Sequence, residues 1–463
     1  MSETAGSFWD RALRQFSGTW QELAEAALVR VAGKVRPHLP DDDLARIRER
    51  VAECIAARGG ESLARGRAAD LGHTYLDLDR SGRKRFLLLL AQEFDIDLAE
   101  VEAEAQALLK ASDPGTKRAL AGSLRDATVA PRQKLFLQFN GLPDGLKFLV
   151  DMRADALAFA REEPMIQRVD DDLRRMLSDW FDVGFLDLTL LTWQSPAALL
   201  EKLIVYEAVH EIASWDDLKN RLEPDRRMFA FVHPNMEDEP LIFVEVALVT
   251  GMASNVQALL DPQAPVGRAD HADTAIFYSI SNTQKGLAGV SLGDFLIKRV
   301  VSELARELPG LKTFATLSPM PGFRRWLDKL LASDDPVADL APGSTARSEL
   351  MVAVNTGDRD ALERWRETLS ALGARYLIRE KRGDRPLDPV ARFHLANGAR
   401  VERINWMGDR SAKGLAESAG LMVNYLYRVD DIAANHEAFV TRGKIASSSE
   451  VRALARRAAQ AGR

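Results

Sequence analysis

The sequence predicts an α+β protein, with an all-helical N-terminal domain over residues 1–185 followed by a mixed α/β domain over residues 186–463. Three observations predict this class. Apolar side chains recur at helix spacing through the N-terminal part, β-branched and aromatic runs begin near Arg226, and strand-like and helix-like segments alternate from there on. The length of 463 residues and a hydrophobic content of 46% suit two or more domains with buried cores.

The helical domain is predicted from apolar residues that recur three or four positions apart. In the segment 41–57 this spacing joins Leu44, Ile47, Val51 and Ile55. Three acidic residues open that segment, where they complement the positive end of the helix dipole. Turn-forming residues such as Gly59 and Gly60 separate the segments. Because the pattern continues from Phe8 to about Leu222 with few β-branched runs, we expect only helices there.

The mixed domain is predicted from short apolar runs bounded by turn residues. Strands are expected at Met228–Val232, Leu241–Val249, Ala275–Ser281 and Thr313–Leu317. Helices are expected at about Leu292–Glu307 and Gly322–Leu331, and the Asp- and Pro-rich segment 333–344 is expected to be a loop. The alternation of strand and helix indicates a layered mixed sheet.

The charge balance and the single cysteine exclude several classes of protein. With 62 basic against 68 acidic residues, the net charge of −6 disfavours a protein that binds nucleic acid through its phosphate backbone. Cys54 alone forms neither an intramolecular disulfide nor a cysteine metal cluster. The N-terminus lacks a basic segment followed by an apolar run, and no apolar stretch approaches membrane-spanning length. We therefore expect a cytoplasmic protein that does not bind membranes.

The segment 77–82 imitates the start of a calcium-binding loop. Such a loop needs a bidentate glutamate at its twelfth position, and Leu88 stands there instead. A turn between two helices is therefore the favoured interpretation.

The segment Gly289-Val-Ser291-Leu-Gly293 matches the Gly-x-Ser-x-Gly elbow of α/β-hydrolases. In those enzymes a strand runs directly into the nucleophilic serine. Here the predicted strand ends at Ser281, and a polar, glycine-containing stretch separates it from Ser291. A hydrolase with Ser291 as nucleophile and His394 as base is therefore an alternative that the sequence context disfavours.

The same segment also has the pattern of an anion site. The first amides of a helix have no partners within it, and the helix dipole is positive there. Gly286, Gly289 and Gly293, before and at the start of the predicted helix, allow a ligand to approach the backbone closely. From the residues alone, this interpretation and an ordinary turn packed against its helix are equally good.

Several motifs, taken in order, resemble those of the malonyl-CoA decarboxylase family. They lie at residues 277–299, 316–323, 388–399, 403–409 and 422–427. The resemblance extends over about Trp193 to Val440, and the helical N-terminal half agrees with it in type. Because the motifs occur together and in sequence order, the match is far more specific than any one glycine-rich loop.

The resemblance implies a GNAT-like catalytic domain and a set of site residues. The CoA phosphates would bind the loop formed by Ala288, Gly289, Val290, Ser291, Leu292, Gly293 and Asp294. Ala288 and Ser291 depart from the acyltransferase form of that loop, which has a basic or amide residue and a glycine at these positions. The catalytic serine and histidine would be Ser318 and His394, as proton acceptor and proton donor. Weaker candidates for shaping the pocket are Ser279, Asn397 and Tyr427.

The chemistry that the resemblance implies is the loss of CO₂ from malonyl-CoA to give acetyl-CoA. The charge left on carbon spreads onto the thioester oxygen as an enolate, which the enzyme stabilises before a proton is supplied to carbon. The ordinary pKa of histidine lies near neutrality, which suits His394 as the proton donor. Since the thioester itself accepts the electron pair, no metal or organic cofactor is expected.

Two alternatives of other kinds remain open at this point. One is an acyltransferase that moves an acyl group from CoA to an amine, and the other is a non-catalytic acyl-CoA sensor. Amphipathic helices outside the catalytic half make a homo-oligomer the expected assembly, either a dimer or a tetramer, with residues 1–185 as the oligomerisation domain.

Overall fold

The computed structural model describes residues 20, 35–57, 61–236, 238–290, 296–333 and 340–458. These residues form two compact units. The helical unit takes in the described residues up to 186 together with 233–239 and 284–290, and the sheet unit takes in 187–232, 240–283 and the described residues from 296 onward. The predicted fold class, helices followed by a mixed α/β domain, is confirmed. None of the described helices is long and apolar enough to cross a membrane.

The helical unit is built from helices joined by short turns. They are α1 (Asp41–Ala56), α2 (Glu61–Asp77), α3 (Arg80–Glu93), α4 (Leu98–Lys110), α5 (Pro114–Ala127), α6 (Arg132–Asn140), α7 (Gly145–Phe159) and α8 (Gln167–Trp180). The segment that imitates a calcium loop is the turn into α3, where Asp79 caps the helix by accepting from the Gly82 N–H at 2.9 Å.

The core of the helical unit centres on packed aromatic rings. The ring of Phe148 meets those of Trp20, Tyr75 and Phe139 edge to face, with centroids between 4.8 and 5.6 Å apart. The Trp20 indole N–H donates to the Pro143 carbonyl at 2.8 Å, so its polar atom is satisfied. Burial of each large apolar side chain stabilises the fold by about 1.5–3 kcal/mol, and each edge-to-face pair adds about 0.5–1.5 kcal/mol.

The sheet unit is organised by one mixed eight-stranded sheet and a small hairpin. The strands are β1 (Asp187–Leu191), β2 (Arg226–Val232), β3 (Ile242–Val249), β4 (Thr274–Asn282), β5 (Thr313–Thr316), β6 (Ser318–Pro319), β7 (Lys381–Arg382), β8 (Arg385–Pro386), β9 (Arg400–Asn405) and β10 (Met422–Tyr427). The sheet order is β1-β2-β3-β4-β5-β10-β6, with β9 also paired to β10. The pair β4–β5 is parallel and every other pair is antiparallel.

Helices of the sheet unit connect and cover these strands. They are α9 (Ala197–Tyr206), α10 (Trp215–Asn220), α11 (Val256–Leu260), α12 (Leu296–Glu307), α13 (Phe323–Ala332), α14 (Thr345–Thr356), α15 (Arg359–Glu363), α16 (Arg366–Ile378), α17 (Pro389–Ala396), α18 (Ala412–Ser418), α19 (Ile432–Arg442) and α20 (Ser449–Arg457). The predicted apolar face of α12 is buried through Leu296, Ile297, Val300, Val301 and Leu304. The predicted start of this helix, at 292, lies outside the described residues.

The structure confirms the predicted strands of the sheet core and corrects one expectation. The runs predicted at 228–232, 241–249 and 275–281 are β2, β3 and β4 within one or two residues at each end. The expectation of helices alone up to Leu222 is wrong at Asp187–Leu191, which is a strand. This strand lies at the sheet edge, half exposed, and its backbone hydrogen bonds depend on β2, so its short pattern gives no signal in the sequence.

Candidate active site

A cavity of about 230 Å³ lies in the sheet unit beside the end of β4, strand β6 and the start of α17. Most of its wall is apolar, made by Val209, Phe277, Ile280, Pro319, Pro389, Val390 and Phe393. Four of its lining residues have polar side chains: Tyr278, Asn282, Ser318 and His394. Among the described residues that line the cavity, none carries a full charge at neutral pH, which makes it a weakly polar chamber with a few hydrogen-bonding groups.

Ser318 and His394, the two residues that the family resemblance marks as catalytic, meet in this cavity. The Ser318 hydroxyl oxygen lies 3.1 Å from Nε2 of His394. Ser318 is fixed by the pairing of β6 with β10, where it stands opposite Val423. His394 is on α17, which begins at Pro389, a residue type favoured in the first turn of a helix. Both side chains are buried, with 5% and 3% of their surface exposed.

A chain of hydrogen bonds passes through the histidine. On its far side, Nδ1 of His394 lies 2.8 Å from the Tyr427 hydroxyl. Burial holds the pKa of Tyr427 well above its ordinary value, so this phenol is protonated. A Tyr427 donor at Nδ1 leaves the ring proton on Nε2, which faces Ser318. Ser318 in turn donates to the Thr316 hydroxyl at 2.8 Å.

Burial determines the protonation state of His394. It lowers the pKa of this imidazole to about 3. Its hydrogen-bond partners are hydroxyl groups, and the Tyr425 ring stacks on it at a centroid distance of 4.5 Å. The pKa of His394 in this cavity therefore lies far below the ordinary histidine value that makes it a proton donor near neutrality, because the buried charged form has no negative partner. His394 is neutral throughout the physiological pH range.

Asp388 begins the helix that carries His394. One carboxylate oxygen accepts from the Ala391 N–H at 2.8 Å and caps α17. The side chain is fully buried, and burial raises the pKa of Asp388 to about 6. The Tyr376 hydroxyl faces this carboxyl group. The orientation of the helix that carries His394 thus depends on a buried acid that titrates in the weakly acidic range.

The three weaker candidates have different surroundings. Tyr427 contacts His394 directly. The Ser279 hydroxyl donates to the Glu207 carboxylate at 2.8 Å and is not among the residues that line the cavity. Asn397 ends α17 and donates to the Phe393 carbonyl at 2.9 Å, also away from the cavity wall. Ser279 lies on β4 between Tyr278 and Ile280, both of which line the cavity.

Several cavity residues carry no chemical signal in the sequence. Phe277 and Phe393 line the cavity, whereas Thr316 contacts Ser318 and Tyr425 stacks on His394. All four lie inside the motifs that indicate the family, yet apolar and hydroxyl side chains of this kind usually belong to a core. Val209 also lines the cavity and lies outside those motifs. Only the motifs as a group, not the residue types, pointed to this wall.

The predicted CoA loop is described only in its first part. Ala288 and Gly289 are exposed and Val290 is buried, whereas Ser291, Leu292, Gly293 and Asp294 lie outside the described residues. The preceding strand, β4, ends at Asn282, and the residues from 283 to 290 form no strand. The direct strand-to-serine connection that a hydrolase elbow needs is therefore missing before Ser291.

Comparisons with known proteins agree with the motifs. The family model described as "Malonyl-CoA decarboxylase C-terminal domain" matches residues 184–462, and the one described as "Malonyl-CoA decarboxylase N-terminal domain" matches residues 94–181. The chain belongs to the malonyl-CoA decarboxylase family.

Individual relatives support this assignment over most of the chain. The mitochondrial malonyl-CoA decarboxylase of Anser anser anser is 37% identical over 417 residues, which cover 84% of this chain and 83% of the relative. That of Rattus norvegicus is 36% identical over 420 residues, covering 84% and 85%. The crystal structure of malonyl-CoA decarboxylase from Rhodopseudomonas palustris has a TM-score of 0.82 and 44% identity, covering 89% of this chain and 99% of that chain. The corresponding structure from Agrobacterium vitis has a TM-score of 0.81 and 42% identity, covering 88% and 99%.

Proposed function

We propose that the protein decarboxylates malonyl-CoA to acetyl-CoA and CO₂, with Ser318 and His394 at the reacting centre and the loop 288–294 binding the CoA phosphates. Family membership supports the substrate. The observation that carries the assignment of the reacting centre is the 3.1 Å contact between Ser318 and His394 in a mostly apolar cavity.

The apolar wall of the cavity favours breaking the bond between the substrate carboxylate and the α carbon. A carboxylate that leaves water for such a wall loses hydration, whereas the CO₂ it becomes is uncharged and loses much less. No lysine or arginine is found among the described residues that line the cavity, so the carboxylate meets no permanent positive charge there. The carboxylate–carbon bond breaks, and its electron pair passes to the α carbon and the thioester oxygen. The Ser318 hydroxyl, released from Thr316, donates to a substrate oxygen.

The substrate also supplies the charge that His394 lacks. In the free cavity, burial alone keeps the imidazole neutral. A malonyl carboxylate beside the ring raises the pKa of His394, because an opposite charge favours the protonated form. Water supplies the second ring proton at Nδ1, where the Tyr427 hydroxyl turns to accept it. The imidazolium then donates its Nε2 proton to the α carbon as CO₂ departs, which completes acetyl-CoA. Tyr427 holds the ring so that Nε2 faces the reacting carbon.

Incubation of the purified protein with malonyl-CoA under mass-spectrometric readout tests the activity. We expect acetyl-CoA and CO₂ to form in equal amounts without added metal. Succinyl-CoA is the matched control, since its decarboxylation would leave charge on a carbon not adjacent to the thioester, and it should stay intact. Binding of malonyl-CoA without its conversion would contradict the proposal.

For the assembly, we infer a homo-oligomer formed through α4 and α5 of the helical unit. Neither helix buries a side chain within the described chain, and Leu98 and Leu109 are 65% and 83% exposed. Exposed leucines on a helical hairpin are typical of a surface covered by another subunit. Sedimentation velocity should give a dimer or tetramer that Leu109→Glu dissociates. The matched change Val352→Glu, at another exposed apolar residue, should leave the assembly intact. A monomeric wild type would refute this.

For the location, we infer the cytoplasm, although relatives from Anser anser anser and Rattus norvegicus are named as mitochondrial. The support is the single cysteine, Cys54, a buried free thiol, which is typical of a protein from a reducing compartment. Fractionation of the native cells with an antibody to the protein tests it. Recovery in a membrane-bounded compartment would contradict it.

A further inference from the structure

Arg153 connects helix α7 with the segment that leads into the predicted CoA loop. The side chain is 1% exposed, and each of its three guanidinium nitrogens has a partner within the helical unit. Nε donates to Asp170 at 2.8 Å, Nη1 to the Gly286 carbonyl at 2.6 Å, and Nη2 to the Ala288 carbonyl at 2.8 Å. The buried guanidinium of Arg153 therefore binds two carbonyl groups, that of Gly286 just before the loop and that of Ala288 at its start.

The contacts around Arg153 leave the loop little freedom. Asp170 is itself buried and accepts a second hydrogen bond from Gln167 at 3.0 Å, so the arginine is anchored from behind. A Cβ atom at position 286 would overlap the Val150 carbonyl oxygen, and only glycine allows α7 and the loop to approach so closely. The planar fork of the guanidinium fits two carbonyls at once, which an ammonium group does not.

This arrangement fixes the direction of one exposed amide. In a trans peptide the C=O and N–H bonds point opposite ways, and the described chain contains no cis peptide. Since the Ala288 carbonyl points to Arg153, the Gly289 N–H points away from it. Ala288 and Gly289 are both exposed, and Gly289 has a φ of +74°. Within the described part of the chain, the structure gives that N–H no hydrogen-bond acceptor.

We propose that Arg153 is a positioning residue for CoA: it holds the 288–289 peptide so that the Gly289 N–H donates to a phosphate oxygen of the ligand. This inference rests on the proposed function for its ligand. Backbone amides held in advance bind anions without the cost of ordering a flexible loop.

The test compares Arg153→Lys with Arg132→Lys. Arg132 is also buried in the helical unit, pairs with Asp172 at 2.7 Å, and donates to backbone carbonyls away from the loop. Both variants lose the same fork within the same unit. We expect Arg153→Lys to weaken CoA binding about tenfold by titration calorimetry, the loss of roughly one charge-assisted contact. The KM for malonyl-CoA should rise by a similar factor, while kcat changes less than twofold. Arg132→Lys should leave the Kd and the KM unchanged.

A second pair of variants keeps the test valid if Arg153→Lys does not fold. Gly289 and Gly251 are both exposed with a φ of +74°, and a Cβ at either position meets no atom within 4 Å. Gly289→Ala and Gly251→Ala therefore carry the same backbone strain. We expect only Gly289→Ala to weaken CoA binding, by several-fold, because relaxing its φ turns the N–H away.

The outcomes separate this inference from the proposed function. CoA affinity unchanged in Arg153→Lys or in Gly289→Ala would overturn it, as would an equal loss in Arg132→Lys or in Gly251→Ala. A wild type that binds no CoA would also overturn it. A wild type that binds CoA and loses affinity in Arg153→Lys, yet leaves malonyl-CoA intact, would support this inference and refute the decarboxylase proposal.

Discussion

Arg132 of the helical unit and His394 of the sheet unit are both buried basic side chains, but only Arg132 has acidic partners. Arg132 is 2% exposed and keeps its charge, since Asp172 and Asp95 lie 2.7 and 2.9 Å from it. His394 is 3% exposed, has hydroxyl partners, and gives up its charge, with its pKa lowered to about 3.

This difference distinguishes a buried base that has permanent ionic partners from a buried base that has none. An ion leaves water at a cost of several kcal/mol, which nearby opposite charge and hydrogen bonds must offset. Arg132 carries that compensation permanently, and so does Arg221 of the sheet unit, 3.0 Å from Asp217. His394 carries none, so its charged form becomes favourable only when an anion enters the cavity. A buried base without compensation is therefore suited to an anionic substrate.

The largest expected effect is the loss of turnover in His394→Ala. If His394 delivers the proton, kcat should fall about 10³-fold, within the usual range for removing a general acid. Because the imidazole is buried uncharged, its removal leaves no unpaired charge, and the variant should fold. His436→Ala is the matched control, since His436 contacts the Ala396 carbonyl at the end of the same helix, outside the cavity. Near-wild-type turnover in His394→Ala would remove the residue from its proposed role.

The next largest effect concerns Arg132 and the free energy of unfolding. Arg132→Met leaves Asp172 buried without its cation and should lower the free energy of unfolding by about 3 kcal/mol. Urea denaturation followed by far-UV circular dichroism measures this. His394→Ala, measured in parallel, should cost clearly less. If the two losses are equal, compensation of charge does not distinguish the two sites.

Tyr427→Phe tests whether the hydroxyl at Nδ1 selects the ring proton's position. Without this donor, Nδ1 competes with Nε2 for the ring proton. In a fraction of the molecules the proton then lies on Nδ1, and the Nε2 atom that faces Ser318 carries none. We expect kcat to fall about tenfold, a loss of ~1.4 kcal/mol, with the KM for malonyl-CoA unchanged. A Phe variant with normal kcat, or one in which only the KM moves, would show that Tyr427 merely fills space.

The sequence predicted which two residues meet in the cavity, but not the state in which they meet. Ser318 and His394 were indicated by motifs far apart in the chain. A motif identifies a residue by its place in the sequence, but it does not show which side chains surround that residue in the fold. The lowered pKa of His394 depends on its burial among residues of α17, β6 and β10, including Tyr425 and Phe393, and the local sequence pattern does not show this burial. The predicted core strands were found because each is a long apolar run. The edge strand Asp187–Leu191 was missed because its partner supplies its stability.

Asp388 lies between the two extremes, since it is buried with backbone and phenol partners but without a direct ion pair among the described residues. Burial raises its pKa from 3.8 to about 6, so the folded state favours the protonated acid. That contribution to stability is fully present below about pH 4 and is lost as the pH rises through about 6. Asp388→Asn keeps the cap and cannot ionise. Its free energy of unfolding relative to wild type should therefore be about 1 kcal/mol more favourable at pH 8 than at pH 5.

The exposed cap Asp79 provides the control for that experiment. Its pKa is lowered by the Gly82 N–H, so the stability it contributes is lost only below its ordinary pKa of 3.8. Asp79→Asn should therefore show the same difference from wild type at pH 5 and pH 8. If Asp388→Asn behaves in that way too, the acid at the start of α17 stays ionised in the fold. Hydrogen bonds from Tyr376 and the backbone would then be enough to keep the buried Asp388 carboxylate ionised. A buried group would lose its charge only where it has no such partners for the charged form, as at His394.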